Sequence, residues 1–160
     1  KKNKPTSRTV LLKEVDNKGF IFFTNYNSNK GVEIKNNKNV SLNFLWKNME
    51  RQIIIEGITK RISEISSINY FNKRPRDSQI SAWVSDQSKK IKNKTVLENQ
   101  YKKMVKKFQK IKVIPKPTCW GGYIVLPNKM EFWQGKKSRL HDRICYKLIN
   151  KDWKKFRLSP

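Results

Sequence analysis

Hydrophobic and β-branched residues recur along the first third of the chain in the manner of β-strands. Thr9–Val15 and Phe20–Thr24 are rich in β-branched and aromatic residues, and the turn residues Asp16–Gly19 between them predict a hairpin. A second pair of strands, Val40–Trp46 and Gln52–Ile62, is predicted on either side of a short polar connection.

The pattern of the middle of the chain changes to that of helices. Ser28–Lys38 predicts a short helix with Ser28 as its N-cap, and two further helices are predicted at Glu64–Asn72 and from Pro75 onward. Thr95–Lys110 predicts an amphipathic helix, because its apolar residues fall within an arc of about 100° at 3.6 residues per turn. That apolar face consists of Leu97, Tyr101, Met104, Val105 and Phe108, and lysines fill the opposite side.

Strand-like runs return after Pro115 and Pro117. The predicted strands are Gly122–Leu126, Met130–Trp133, Arg143–Ile149 and Trp153–Leu158. A β-rich inventory with inserted helices favours a mainly β fold, an antiparallel barrel. With 160 residues, no repeat and no long linker, the chain is expected to form a single domain over residues 1–160.

The charge balance is strongly positive, with 37 Lys and Arg against 12 Asp and Glu and a net charge of +25. Such a value raises the possibility of a nucleic-acid-binding protein. Lysine accompanies an equally heavy use of Asn and Ile, three residues with A/T-rich codons, so the excess is explained by lysines at tolerant surface positions. The positive field would still attract phosphorylated ligands.

Other compositional features narrow the class of protein. No apolar run approaches the roughly 18 residues of a membrane span, and Cys119 and Cys145 lack the spacing and the company of a metal site. We therefore expect reduced cysteines, no metal and a cytoplasmic location. The chain does not begin with Met, so we expect a further N-terminal segment to precede it.

The densest group of polar chemistry lies near the C-terminus. EFWQG at Glu131–Gly135 is followed by RLHDR at Arg139–Arg143, which places Trp133 and the only histidine, His141, among arginines. Arginine binds planar anionic groups bidentately, and histidine donates, accepts or titrates near neutral pH. These residues predict a polar site, although Trp and Arg also form ordinary packing pairs on strand surfaces.

This C-terminal signature resembles that of the pyridoxamine 5'-phosphate oxidase family. Further matching segments occur in the same order along the chain. They are RTVLLK at Arg8–Lys13, GFIFFTNYNSNKG at Gly19–Gly31, RQIIIEG at Arg51–Gly57, YFNKRPRDSQISAWVSDQS at Tyr70–Ser88, WGGY at Trp120–Tyr123 and a closing RLSP. The resemblance covers nearly the whole chain and implies the antiparallel, Greek-key-like split-barrel fold that binds FMN, in a homodimer with FMN at the subunit interface.

The resemblance also implies a set of residues that contact FMN. Carried over residue by residue, they are Arg8, Thr9, Val10, Leu11, Leu12, Lys13, Phe23, Thr24, Lys30, Gln52, Gln87, Ser88, Trp133 and Arg143. The helix that begins after Ser28 would also offer free N–H groups to the FMN phosphate. One position departs from the family pattern, because Asn29 stands where the family usually has Arg, and this leaves the strength of FMN binding open.

For the substrate, the resemblance implies a second phosphate site and groups that close over a pyridine ring. The implied substrate-binding residues are Lys13, Tyr70, Arg74, Ser78, Arg139, Leu140 and His141, with Arg139 and His141 as the catalytic pair. The implied reaction is the oxidation of pyridoxamine or pyridoxine 5'-phosphate by dioxygen to pyridoxal 5'-phosphate, with release of hydrogen peroxide. The sequence does not show which group accepts a proton.

Two alternatives to an oxidase remain open at this point. One is a non-catalytic split barrel that binds flavin or a B6 vitamer, which the intact RLHDR segment argues against. The other is a basic nucleic-acid-binding barrel, which charge alone supports. The chain lacks the aromatic-and-basic strand pattern of single-strand binders and the glycine-aromatic signatures of RNA-recognition modules, so we expect no nucleic-acid partner and no membrane.

Overall fold

The computed structural model describes residues 4–160, which form a seven-stranded sheet and four α-helices. The strands are β1 (Leu12–Val15), β2 (Phe20–Asn25), β3 (Asn39–Trp46), β4 (Arg51–Arg61), β5 (Trp120–Gln134), β6 (Asp142–Ile149) and β7 (Asp152–Arg157). The α-helices are α1 (Asn29–Asn36), α2 (Glu64–Lys73), α3 (Arg76–Val84) and α4 (Lys94–Phe108). Short 3-10 turns occupy Lys47–Met49 and Lys137–Arg139.

The sheet places β5 between the two N-terminal hairpins, in the order β1-β2-β5-β4-β3, and β6 pairs with both β5 and β7. The β3–β4, β5–β6 and β6–β7 pairs are antiparallel, with Phe44 opposite Ile53 and Trp133 opposite Arg143. The first hairpin turn forms as predicted, because the Asp16 carboxylate accepts hydrogen bonds from the amides of Lys18 and Gly19. The mainly antiparallel β fold with inserted helices is thus confirmed.

One long strand replaces two of the predicted ones. The prediction of separate strands at Gly122–Leu126 and Met130–Trp133 was wrong, because β5 continues through Pro127. Proline favours a turn, but the β5–β6 ladder begins only at Lys129, so Pro127 removes no hydrogen bond from it. On β4, a side chain at Gly57 would clash with the Leu126 carbonyl oxygen, so glycine allows the backbones to approach closely here.

The contacts of the chain group into two compact units, which we call the first and second units. The first contains residues 4–15, Ile21–Val32 and Arg61–Ile124, and the second contains Asp16–Phe20, Glu33–Lys60 and Val125–Pro160. The single-domain organisation over residues 1–160 therefore stays a prediction.

The core of the first unit is mainly aromatic. Phe71, Ile80, Phe108, Ile114 and Trp120 form a buried cluster. The predicted apolar face of α4 packs here through Tyr101, Met104 and Phe108, whereas Val105 remains 38% exposed. The α4 helix begins at Lys94, one residue before the predicted start, and the Asn93 side chain caps it by accepting a hydrogen bond from the Val96 amide.

In the second unit, Ile55 on β4, Val125 on β5 and Cys145 on β6 are buried. Burial raises the pKa of the Cys145 thiol, so this cysteine has the character of an inert packing residue. Across residues 4–160, we find no helix with the length and apolar character needed to cross a bilayer.

Candidate functional site

The first unit contains a cavity of about 560 Å³, between the N-terminal segment, β2, α1 and the α2–α3 connection. Four cationic side chains line it: Lys13, Lys30, Lys73 and Arg74. Within residues 4–160, no Asp or Glu contributes to the lining. Four positive charges without a counter-charge favour an anionic ligand, and the volume is that of a small-molecule site.

Lys30 on α1 is buried among neutral oxygen atoms. Its ammonium donates hydrogen bonds to the hydroxyls of Thr24 and Ser28 and to the Gln87 side-chain oxygen, the last at 2.9 Å. Burial lowers the pKa of Lys30 below its usual value, and the nearby charge of Arg8 lowers it further. A buried ammonium without a carboxylate partner is costly, so an anion placed here would relieve that cost.

The N-terminus of α1 is capped more completely than the sequence suggests. The Ser28 hydroxyl accepts from the Gly31 amide, as the N-cap prediction requires, and the Ser88 hydroxyl accepts from the Asn29 amide, each at 3.2 Å. Two of the N–H groups expected to be free for a phosphate are therefore already bonded. Ser88 adopts a left-handed backbone, with φ of 74°, in placing its hydroxyl against the helix.

Aromatic rings form one wall of the cavity. Phe23 stacks on Tyr70 with ring centroids 3.9 Å apart and on Trp120 at 5.2 Å. The Arg74 guanidinium lies 4.7 Å from the centroid of the Trp120 ring, which places its charge over an aromatic face. This wall holds Arg74 beside the cavity without neutralising it.

Arg74 leaves hydrogen-bonding capacity unused. Its Nη1 atom is buried and has no hydrogen-bond partner in the described part of the chain, and burial lowers the pKa of the guanidinium. The residue ends α2 in an extended conformation, as expected before Pro75, and the Gln79 side chain donates to its carbonyl oxygen at 2.9 Å. An unpaired guanidinium nitrogen beside an acid-free cavity is suited to a phosphate oxygen.

The structure brings together most of the residues predicted to contact FMN or the substrate phosphate. The predicted residues that line the cavity are Thr9, Val10, Leu11, Lys13, Phe23, Thr24, Lys30, Tyr70, Arg74, Ser78 and Gln87. Arg8, Leu12 and Ser88 belong to the same unit but not to the lining. The cavity also includes residues that the sequence did not indicate: Asn25, Lys73, Pro75, Ser81, Ala82, Ser85 and Trp120.

The remaining predicted residues do not line this cavity. They are Gln52, Trp133, Arg139, Leu140, His141 and Arg143, and all of them belong to the second unit. Gln52 lies on β4 opposite Leu45 of β3, and the others lie at the end of β5, in the following loop and at the start of β6.

His141 is held in a defined orientation within this second group. Its Nδ1 atom accepts a hydrogen bond from the Lys136 amide at 3.1 Å, and its ring lies 4.9 Å from the Trp133 ring. With Nδ1 as the acceptor, the neutral imidazole carries its proton on Nε2. His141 can therefore donate from Nε2, whereas Nδ1 is occupied.

The loop that carries Arg139 has an unusual backbone. Ser138 and Arg139 both adopt left-handed conformations, with φ of 56° and 61°. Non-glycine residues in this region are uncommon and carry strain, which often marks functional loops. The Leu140 amide donates to the Lys137 carbonyl at 3.2 Å, so the loop closes as a tight turn before β6.

Arg143 already has protein partners. Its Nε donates to the Glu131 carboxylate at 2.7 Å, its Nη1 donates to the Ser159 carbonyl oxygen at 2.9 Å, and the ion pair with Glu131 raises its pKa. Glu131 is buried, with 7% of its surface exposed. Arg143 therefore joins β5, β6 and the C-terminal residues of the chain. Among residues 4–160, no group of three or more His, Cys, Asp or Glu side chains could hold a metal ion.

Comparison with known protein families gives two matches that together span most of the chain. Residues 1–107 match the family described as pyridoxamine 5'-phosphate oxidase, and residues 120–160 match the pyridoxine 5'-phosphate oxidase C-terminal dimerisation region. The chain is 51% identical over 158 residues to pyridoxine/pyridoxamine 5'-phosphate oxidase 2 of Hydrogenovibrio crunogenus, covering 99% of this chain and 74% of that protein. It is 52% identical over 157 residues to the pyridoxine/pyridoxamine 5'-phosphate oxidase of Haemophilus ducreyi, covering 98% of this chain and 74% of the relative.

Solved structures show the same fold. PhzG from Burkholderia lata, crystallised with tetrahydrophenazine-1-carboxylic acid, matches with a TM-score of 0.90 at 27% identity, covering 97% of this chain and 75% of that one. A pyridoxamine 5'-phosphate oxidase-related, FMN-binding protein from Nostoc punctiforme matches with a TM-score of 0.75 at 14% identity, covering 98% and 82%. The second likeness supports the fold alone, and it agrees with the split barrel predicted from the sequence.

Proposed function

The chain belongs to the pyridoxamine 5'-phosphate oxidase family, and on this premise we propose that it is an FMN-dependent oxidase of B6 vitamers. Its substrates are pyridoxamine 5'-phosphate and pyridoxine 5'-phosphate. Dioxygen oxidises either one to pyridoxal 5'-phosphate with release of hydrogen peroxide, and the amine also consumes water and releases ammonia. The observation that carries this proposal is the cavity with four cations and no carboxylate, because both the cofactor and the substrate bear a phosphate.

The residues of the cavity fit FMN. Lys30 is buried without a carboxylate partner among the described residues, and Thr24 and Gln87 hold its ammonium in place. We propose that Lys30 binds the FMN phosphate, with Thr24 and Gln87 as neighbours and the segment Arg8–Lys13 completing the site. When bound, FMN supplies the hydride acceptor for the substrate, and dioxygen regenerates it.

The substrate phosphate is assigned to a second set of lining residues, which shares Lys13 with the FMN site. Lys13, Tyr70, Arg74 and Ser78 all line the cavity, and among residues 4–160 the buried Nη1 of Arg74 has no hydrogen-bond partner. A phosphate oxygen would satisfy that donor and the charge together. This group would fix the substrate at its phosphate and leave the pyridine ring to the catalytic residues.

We propose that the second group, around His141, closes over the pyridine ring. Arg139 would stabilise charge that develops at the reacting carbon, and His141 would donate from Nε2 to an acceptor atom of the substrate. Gln52, Trp133 and Arg143 would contact FMN, and Leu140 would pack against the substrate. Because Nδ1 of His141 accepts the Lys136 amide, we assign His141 to hydrogen bonding rather than to proton abstraction.

The functional assembly is a homodimer, in line with the match of residues 120–160 to a dimerisation region. Exposed apolar residues in that part of the chain, such as Leu148, Ile149, Trp153 and Phe156, are suited to an interface. We propose that FMN binds at the subunit interface, so that the partner subunit contributes part of each site. A cytoplasmic location is also a proposal, and the free thiols of Cys119 and Cys145 fit a reducing compartment.

The experiment that tests this function starts with the visible absorption spectrum of the purified protein and the identification of the flavin released on denaturation. Turnover is then measured as pyridoxal 5'-phosphate and peroxide formed from each substrate. We expect noncovalent FMN and equal amounts of the two products. Flavin-loaded protein that oxidises neither substrate would favour the non-catalytic binding barrel, and protein without flavin affinity would contradict both.

A further inference from the structure

Lys73 is a charged residue of the cavity that the resemblance does not assign to any role. It is the last residue of α2, and it lines the cavity together with Tyr70 of the same helix. Residues three apart on a helix lie on the same face, so Lys73 is directed to the same side as Tyr70. It is adjacent in sequence to Arg74, whose buried Nη1 has no partner.

The surroundings leave the Lys73 ammonium available to a ligand. Within residues 4–160, no carboxylate lies within ion-pair distance of Lys73, and its side chain is exposed. The cavity lining contains no acid that could compete with an incoming anion. An exposed cation beside a half-buried one is suited to attracting a dianion and orienting it as it enters.

We propose that Lys73 is a specificity-determining residue that favours the phosphorylated substrate over its unphosphorylated counterpart. This inference rests on the proposed function, since it concerns the substrate phosphate that we assign to Tyr70, Arg74 and Ser78. The charge acts on binding and capture of the substrate dianion and leaves the chemical step unchanged.

A structural role for Lys73 is the competing explanation. A lysine in the last turn of a helix also interacts favourably with the helix dipole, and that contribution concerns stability. The two roles differ in their readout, because a dipole effect changes the unfolding transition without changing substrate affinity.

The test compares Lys73→Gln with wild type and with Lys103→Gln, which removes the same charge from the exposed face of α4. We expect Lys73→Gln to raise the KM for pyridoxamine 5'-phosphate about three- to tenfold at low ionic strength, as for a partly solvated charge acting on a dianion. The kcat and the Kd of FMN should remain unchanged, and the rise in KM should shrink with added salt. Lys73→Arg should restore the wild-type KM.

Binding of pyridoxal 5'-phosphate, measured at equilibrium, provides a second readout that needs no turnover. It should weaken in Lys73→Gln by a similar factor, whereas binding of unphosphorylated pyridoxal should not change. If the two Gln variants behave alike, or if only FMN binding weakens, the inference is overturned. Absence of oxidase activity in the wild type would instead contradict the proposed function, and the binding measurement would still decide the role of Lys73.

Discussion

Lys30 and Arg74 in the first unit differ from Arg143 and Arg157 in the second in what surrounds their charge. Within residues 4–160, Lys30 bonds only to neutral oxygens, and Arg74 keeps a buried nitrogen without a partner. Arg143 and Arg157 instead pair with Glu131 and Asp142 at 2.7 and 2.8 Å. Cations left without acids are available to ligand phosphates, whereas paired cations stabilise the loops and strands that carry other functional residues.

Among the substitutions considered, we expect the largest loss of stability when Arg143 is removed from its ion pair with Glu131. Arg143→Leu leaves the buried Glu131 carboxylate unpaired, so the free energy of unfolding should fall by about 2–3 kcal/mol, somewhat less than for a fully buried pair. Urea denaturation of the FMN-free protein at one fixed protein concentration measures this without a contribution from the cofactor.

Arg157→Leu is the matched control, because its pair with Asp142 is largely exposed and should contribute under about 1 kcal/mol. Equal losses of stability in the two variants would show that the Glu131–Arg143 pair contributes no more than the exposed pair.

For Lys30, which has no acidic partner among the described residues, we expect a substitution to weaken ligand binding and not to lower stability. Lys30→Met should weaken FMN binding about ten- to a hundredfold, the loss of one charged hydrogen bond, while the FMN-free protein stays as stable as wild type or becomes more stable. Fluorescence titration with FMN and urea denaturation of the same samples measure the two quantities. A destabilised FMN-free variant would mean that Lys30 is structural.

The burial of the Lys30 charge also predicts how stability changes with pH. The pKa of Lys30 is lowered in the folded state, so at alkaline pH the unfolded chain binds more protons than the folded chain. The contribution of Lys30 to stability should therefore rise with pH, from its folded pKa up to the usual value of 10.5. This rise should be absent in Lys30→Met, and a parallel pH profile for the two proteins would refute it.

Substitution of His141 is expected to have an intermediate effect on kcat/KM, which depends on which ring nitrogen the new side chain replaces. In His141→Gln the amide NH₂ lies near the position of Nε2 and keeps a donor there, whereas in His141→Asn it lies near Nδ1. We expect the Asn variant to lose about tenfold in kcat/KM and the Gln variant to retain most of it. Equal losses would indicate that the imidazole acts in proton transfer instead.

The smallest effect is expected at Asn29, the first residue of α1. Its side chain is exposed and its amide is bonded to Ser88, so a side chain added here would leave the cap intact. Asn29→Arg should tighten FMN binding by on the order of 1 kcal/mol, with little change in turnover at saturating FMN. FMN titrations of both proteins at several salt concentrations measure this effect. Equal FMN affinity of the variant and the wild type would mean that the new guanidinium does not reach the phosphate.

Local sequence signals were sufficient for much of the fold. Asp16 and Gly19 specify the first hairpin turn, and the apolar residues of Thr95–Lys110 specify α4. The continuity of β5 was not predictable from Pro127, because a proline is compatible with a strand wherever the neighbouring ladder does not need its N–H. That condition depends on how the strand pairs with its neighbours in the sheet, which is not a local property.

The candidate site was likewise predictable only in part. The resemblance identified the cavity residues by type, yet it could not show that Lys30 is buried without an acid or that Lys73 lines the same cavity. Both facts depend on packing between segments distant in sequence. The Glu131–Arg143 pair is likewise visible only once β5 and β6 are in register, with Glu131 opposite Cys145 and Arg143 diagonal to it on the same face.

The comparison of FMN with riboflavin, which lacks the phosphate, tests most directly whether the acid-free cavity is a phosphate site. Equilibrium Kd values for both flavins are measured with wild-type protein and with Lys30→Met, which gives a complete cycle. We expect wild type to prefer FMN strongly and the variant to lose about ten- to a hundredfold of that preference while binding riboflavin as wild type does. If the substitution weakens both flavins equally, Lys30 does not act on the phosphate, and the assignment of the unpaired cations to ligand phosphates is contradicted.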